Sequence, residues 1–133
     1  MIFIRGDKME LAEALKREDL RFDLSPQHEL LLAGFEIKTP EDFKRLEEFF
    51  KQHSGSYFYV DVWNCTARLC LMENRDDGSG TAYAIDDYEQ HGITYDELVD
   101  AVEEAGGAIN WSGAYPINQN LREKLMKLKQ EIS

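Results

Sequence analysis

The segment from residue 76 to residue 121 contains ten Asp and Glu residues and no Lys or Arg. The whole chain carries a net charge of -11, so this segment supplies nearly all of it. Carboxylates at such a density attract a basic surface and steer its approach over a range set by salt. The same density is also typical of a solvated face that only keeps a protein soluble. The residues predicted to contact a partner are Asp86, Asp87, Glu89, Asp96, Glu97, Asp100, Glu103 and Glu104.

Within the same segment, Asp87, Glu89 and His91 alternate along the chain. Alternating residues share one face of a strand, so these side chains would converge if the preceding strand continued through His91. Two carboxylates and an imidazole can bind a divalent cation. A divalent-metal site, or a metal-dependent enzyme centred on it, is therefore the alternative to a docking surface.

Other patterns that carry chemistry are missing from the sequence. It has no G-x-S-x-G nucleophile motif and no glycine-rich phosphate loop. The two cysteines, Cys65 and Cys70, have no histidine near them in sequence to act as a base. The sequence predicts no catalytic residue and no cofactor, and it favours a protein that is not an enzyme.

Three aromatic residues, Tyr57, Tyr59 and Trp63, alternate on one predicted strand. Aromatic side chains on a sheet can stack nucleic-acid bases. The strong negative charge argues against that use, because affinity for nucleic acid comes largely from Lys and Arg that neutralise phosphates. It argues equally against an anionic membrane surface. We therefore predict that these aromatics are core or protein-interface residues, and that neither nucleic acid nor a membrane is a direct partner.

The most strongly indicated element of the acidic segment is a helix over residues 94–105. Thr94 and Glu97 have the spacing of a capping box, and Gly106 follows as a helix stop. Leu98, Val99 and Val102 form its apolar face. The acids occupy the opposite face, at spacings where like charges repel and lower helix stability.

The remaining elements follow from hydrophobic periodicity and turn residues. Further helices are predicted at about 8–18, capped by Asp7, at 40–53, capped by Thr39, and at about 119–132. Residues 30–37 fit either a strand or a helix that ends at Gly34, and the strand is preferred. The other predicted strands are 2–5, 57–63, 67–73, 81–87 and 108–111.

This order of elements predicts an α+β fold with an antiparallel sheet of about four to five strands packed by about four helices. The middle of the order resembles a split βαβ (ferredoxin-like) plan with one extra strand. The chain of 133 residues is predicted to form a single domain, residues 1–133. No stretch has the roughly 20 apolar residues that a membrane helix needs, and a cytoplasmic location is expected.

A short run is similar to a known family. Gly34-Phe35-Glu36-Ile37-Lys38-Thr39-Pro40-Glu41-Asp42-Phe43 resembles the strand-turn-helix opening of barstar-type nuclease inhibitors, which are acidic and mask basic active sites. The Tyr-Tyr-Gly and Asn-Leu-Asp-Ala-Leu-Trp-Asp runs of that family are absent from this chain. The resemblance implies an inhibitor of a basic protein.

These observations favour a small acidic protein-binding module that docks through its negative surface on a basic protein partner. An inhibitor, an immunity protein or a mimic of nucleic-acid charge would have this character. The alternatives are the metal site at Asp87, Glu89 and His91, and a structural subunit of a homo-oligomer.

Overall fold

The computed structural model describes residues 3–22, 37–52, 54–75 and 80–132. These ranges contain six strands and four α-helices, and a short 3-10 helix lies at Tyr88–His91. The strands are β1 Phe3–Met9, β2 Leu20–Arg21, β3 Gly55–Trp63, β4 Thr66–Asn74, β5 Gly80–Ile85 and β6 Gly113–Pro116. The helices are α1 Leu11–Leu15, α2 Pro40–Gln52, α3 Tyr95–Glu104 and α4 Gln119–Ile132.

The centre of the sheet is the hairpin of β3 and β4, which pair from Gly55 with Asn74 to Trp63 with Thr66. The two turn residues, Asn64 and Cys65, have φ angles of 53° and 61°. Positive φ at both central positions is the geometry of a type I′ turn, whose twist matches that of the strands. β5 pairs antiparallel with β4 in turn, so β3, β4 and β5 form an antiparallel meander.

The sheet as a whole is mixed, and the prediction of a purely antiparallel sheet is wrong. The strand order is β1-β5-β4-β3-β2, with β6 also paired to β3. β1 runs parallel to β5, and β2 runs parallel to β3. These pairings join segments far apart in the chain, and an alternating pattern reveals a strand but not its partner. The strand order does not confirm a split βαβ plan. In such a plan another strand separates the two parallel strands that a helix connects, whereas β2 and β3 are direct neighbours.

The main core lies between one face of the sheet and helices α1, α3 and α4. Alternate residues of β3 and β4 point into it, and their buried side chains are those of Phe58, Val60, Val62, Ala67, Leu69 and Leu71. On the other face, Tyr57 and Tyr59 are only 2% and 6% exposed and cluster with Cys70, Met72 and Ala82. Trp63, at the end of the same strand, is 54% exposed. Most of this aromatic face is therefore core.

A network of ion pairs closes the end of the sheet where β3 begins and β4 finishes. Arg17 Nη2 lies 2.6 Å from Glu73 Oε2, and Arg75 Nη2 lies 2.8 Å from Glu73 Oε1. Arg17 Nε also donates to Asp19, whose second oxygen accepts a hydrogen bond from the Ser56 hydroxyl at 2.9 Å. Arg17 and Arg75 are thus paired with acids that lie outside the acidic segment.

Several predicted element boundaries differ from those observed. Asp7 lies in β1, which is longer than expected, and so it does not cap α1, which is shorter than expected. The predicted strand at 108–111 is a loop, and β6 follows at Gly113–Pro116. The predicted strand at 30–37 lies almost entirely outside the described residues. The helix over 119–132 and the Thr39 cap of α2 are confirmed, the latter by a 3.2 Å hydrogen bond from the Asp42 N–H to Thr39 Oγ1.

Candidate functional site

Helix α3 displays the acidic residues because both its ends and its inner face are fixed. Its capping box is formed: the Glu97 N–H donates to Thr94 Oγ1 at 3.2 Å, and the Thr94 N–H donates to Glu97 Oε1 at 3.3 Å. Leu98, Ala101 and Val102 are buried in the main core. Because the helix is anchored in this way, the face opposite its buried residues is exposed to solvent, as predicted from the sequence.

That outer stripe consists of four exposed carboxylates, hereafter the acidic face: Asp96, Asp100, Glu103 and Glu104. Asp96, Asp100 and Glu104 follow one another at intervals of four residues, and Glu103 lies three residues after Asp100. At these spacings on a helix, the Cβ atoms of neighbouring side chains are about 5 to 6 Å apart. None of them makes a hydrogen bond or an ion pair with a residue that the structure describes. Within the part of the chain that the structure describes, the acidic face is therefore an uncompensated row of negative charge.

In the last turn of α3, these carboxylates lower the stability of the helix. Glu103 and Glu104 lie at the negative end of the helix dipole, and no basic residue accompanies them in that turn. The helix instead ends through backbone hydrogen bonds, from Gly106 N–H to Glu103 O and from Gly107 N–H to Val102 O, both at 2.9 Å. Acids at a helix C-terminus each cost about 0.3 to 1 kcal/mol. A single Lys there would relieve this repulsion, and the sequence has none.

Glu97 is on the same helix but has internal partners. Lys124 Nζ from α4 lies 2.6 Å from Glu97 Oε1, and it also donates to Gly92 O at 2.9 Å. Partial burial would by itself raise the pKa of Glu97. The hydrogen bonds from Lys124 and Thr94, together with the Lys124 charge, outweigh burial and lower the pKa from its ordinary value. Glu97 therefore ties α3 to α4 and does not belong to the acidic face.

This contact predicts a specific pH dependence of stability. Because the folded-state pKa of Glu97 is lowered, its contribution is present above the unfolded-state pKa, about 4.3, and is lost as pH falls through the folded-state pKa. Glu97→Gln should lower the free energy of unfolding by about 1 kcal/mol at pH 7. The difference from the native protein should shrink as pH falls below the unfolded-state pKa and disappear below the folded-state pKa of Glu97, as measured by urea unfolding across this range.

Glu103→Gln is the matched control for that experiment, since it removes a carboxylate that has no partner among the described residues. It should not lower stability at pH 7. Two results would contradict the conclusion that Glu97 ties α3 to α4. One is equal destabilisation by the two variants, and the other is a loss of unfolding free energy in Glu97→Gln that persists at low pH.

Asp86 and Asp87 also have internal partners. Asp86 Oδ2 lies 2.9 Å from Lys8 Nζ. Asp87 Oδ1 accepts a 2.8 Å hydrogen bond from the Leu11 N–H, one of the free donors at the start of α1. Its other oxygen lies 3.3 Å from His91 Nε2. Asp87 thus caps a helix that begins 76 residues earlier, so its carboxylate serves the fold.

The predicted metal site is not assembled. β5 ends at Ile85 and the chain turns into the 3-10 helix, so Asp87, Glu89 and His91 do not alternate along a strand. Asp87 and His91 are in contact, whereas the Glu89 side chain is exposed and its carboxylate makes no hydrogen bond or ion pair with a described residue. Within the described ranges no group of three His, Cys, Asp or Glu residues could hold a metal ion.

The predicted site residues therefore separate into two groups. Asp87 and Glu97 hold elements of the fold together and Asp86 makes an exposed ion pair with Lys8, while Glu89 and the acidic face extend towards solvent. Lys124 was not predicted to contribute, although the excess of basic residues in the C-terminal segment could have indicated an internal partner. Trp111, which follows α3 in a loop and is 69% exposed, was likewise not predicted.

Comparison with known proteins gives no relative for this chain: no family model, no curated protein and no solved structure matches it. The resemblance to barstar-type inhibitors is thus confined to the run Gly34 to Phe43. In the described ranges, no helix is long and apolar enough to cross a membrane.

Proposed function

We propose that this protein is a docking module whose acidic face binds a basic surface of a partner protein. The observation that carries the proposal is the row of Asp96, Asp100, Glu103 and Glu104, exposed and without partners among the described residues. Two of these acids lower the stability of the helix that bears them. A group that costs stability and contacts nothing internally is a candidate for a function outside the molecule.

The charge also favours a particular kind of partner. Two copies of the acidic face placed against each other would repel, so this face does not suit a symmetric dimer of the chain. A surface rich in Lys and Arg would gain Coulomb attraction and be steered towards the face. An inhibitor, an immunity protein or a mimic of nucleic-acid charge would act in this way, and a cytoplasmic location stays a prediction.

Reversing two charges tests the proposal. The double variant Asp100→Lys with Glu103→Lys should weaken binding of the partner captured from a lysate of the native host by about tenfold or more, and binding to the native chain should fall steeply with salt. Its matched control is Glu47→Lys with Glu48→Lys, which makes the same charge change on exposed residues of α2. The control should retain binding.

Stability measurements separate lost docking from lost folding. Lys at the C-terminal end of α3 complements the helix dipole, so the α3 variant should unfold at a temperature no lower than the native protein does. A partner that binds the α3 variant as well as the control, or one whose binding is unaffected by about 0.5 M salt, would overturn the proposal.

A further inference from the structure

A polar cleft of about 370 Å³ opens at the end of the sheet where β1 and β5 finish and β4 begins. Among the described residues, its polar walls are formed by Lys8, Thr66, Arg68, Asp86 and Tyr88. Lys8 comes from β1, Thr66 and Arg68 from β4, and the other two follow β5. Ligands of open sheets commonly bind beyond the carboxyl ends of parallel strands, and β1 and β5 are such a pair.

The cleft carries positive charge in a protein that is otherwise strongly acidic. The ammonium of Lys8 is matched by Asp86 at 2.9 Å, so among the described residues that line the cleft the Arg68 guanidinium is the charge without an ion-pair partner. The Arg68 side chain is exposed and makes no hydrogen bond or ion pair with the side chain of any residue that the structure describes. Asp61 is its cross-strand neighbour on β3 and does not line the cleft.

Arg68, Lys8 and Tyr88 offer donors that suit an anion, and the Asp86 carboxylate of the same cleft pairs with Lys8. A guanidinium presents N–H groups in a planar fork that matches the oxygens of a carboxylate or a phosphate. The Tyr88 side chain is half-buried against the main core. Burial, the charge of Glu89 and the neighbouring Tyr95 raise the pKa of Tyr88, so its phenol keeps its proton at neutral pH and can donate.

We propose that this cleft binds a small ligand through a carboxylate or phosphate group, with Arg68 as the principal contact and Lys8 and Tyr88 as further donors. The inference is independent of the docking proposal, because no residue of the acidic face lines the cleft. Salt screens charges over about 8 Å at physiological ionic strength, so local cations can govern this site despite the net charge of the chain.

The test is an NMR titration of the ¹⁵N-labelled full chain with inorganic phosphate and, separately, with acetate, each at constant ionic strength in chloride. Saturable shifts should concentrate on the backbone amides of Thr66, Arg68, Asp86 and Tyr88. The anion that saturates them identifies the chemical group. Arg68→Gln should weaken this binding about tenfold. Arg45→Gln, which removes the same charge from an exposed position on α2, should leave it unchanged.

Three outcomes would overturn the proposal. The first is that neither anion produces saturable shifts at the cleft. The second is that the shifts are spread evenly over the basic residues of the chain, which would mean adventitious ion binding only. The third is that Arg68→Gln and Arg45→Gln bind alike while both spectra show a folded protein.

Discussion

Replacing Gly55 with alanine is expected to lower the free energy of unfolding by about 3 kcal/mol. Gly55 begins β3 with φ +112°, a conformation that L side chains rarely adopt. A Cβ atom there would lie 2.8 Å from the backbone oxygen of Asp19. That oxygen cannot easily move away, since it accepts a 3.1 Å hydrogen bond from the Ser56 N–H. Both the backbone angle and the contact therefore oppose the substitution.

Gly106→Ala is the matched control for this prediction. Gly106 also has a positive φ, +82°, but no atom lies within 4 Å of the position that the alanine methyl group would take. Its substitution should cost only about 1 kcal/mol, the penalty of the left-handed conformation alone. Urea unfolding followed by circular dichroism would measure both values. Equal losses would show that the contact with Asp19 does not contribute.

Leu98→Ala should also lower the free energy of unfolding, by about 2 to 5 kcal/mol. Leu98 is fully buried where α3 packs against the sheet, so removal of its side chain leaves a cavity in the main core. Val99→Ala, at the neighbouring half-buried position of the same helix, should cost clearly less. Chemical unfolding of the two variants at pH 7 makes the comparison.

The Leu98 result bears on the proposed docking surface as well as on the core. If α3 holds the acidic face in a fixed place, Leu98→Ala should weaken binding of a basic partner even under conditions where the variant stays folded. A Leu98→Ala protein as stable as Val99→Ala would mean that Leu98 does not anchor α3 in the main core. The conclusion that α3 holds the acidic face in a fixed place would then be wrong.

The sequence predicted best those elements whose determinants are local. The capping box of Thr94 and Glu97 and the apolar face of α3 lie close together in the chain, and the helix is found where expected. The hairpin of β3 and β4 likewise depends on alternation and on a short turn. In such segments, backbone propensity and hydrophobic pattern agree, so no information about distant residues is needed.

The errors came from contacts between distant segments. The parallel pairing of β1 with β5 joins residues more than 70 positions apart, and nothing in either strand specifies its neighbour. The hydrogen bond of Asp87 with the Leu11 N–H was not predicted for the same reason, because Leu11 lies far from Asp87 in the chain. The ion pair of Glu97 with Lys124 was not predicted because α4 could not be placed beside α3.

The turn between β3 and β4 has a practical consequence for studying this molecule. The chain has two cysteines, of which Cys65 is exposed at the tip of that turn and Cys70 is buried. A thiol-reactive fluorophore or spin label should therefore attach at one defined point of the native chain without prior mutagenesis. A probe at this point would lie beside β4, whose residues Thr66 and Arg68 line the cleft, on a hairpin that is paired from Gly55 with Asn74 to Trp63 with Thr66. Distance measurements from it could then place a bound partner relative to α3.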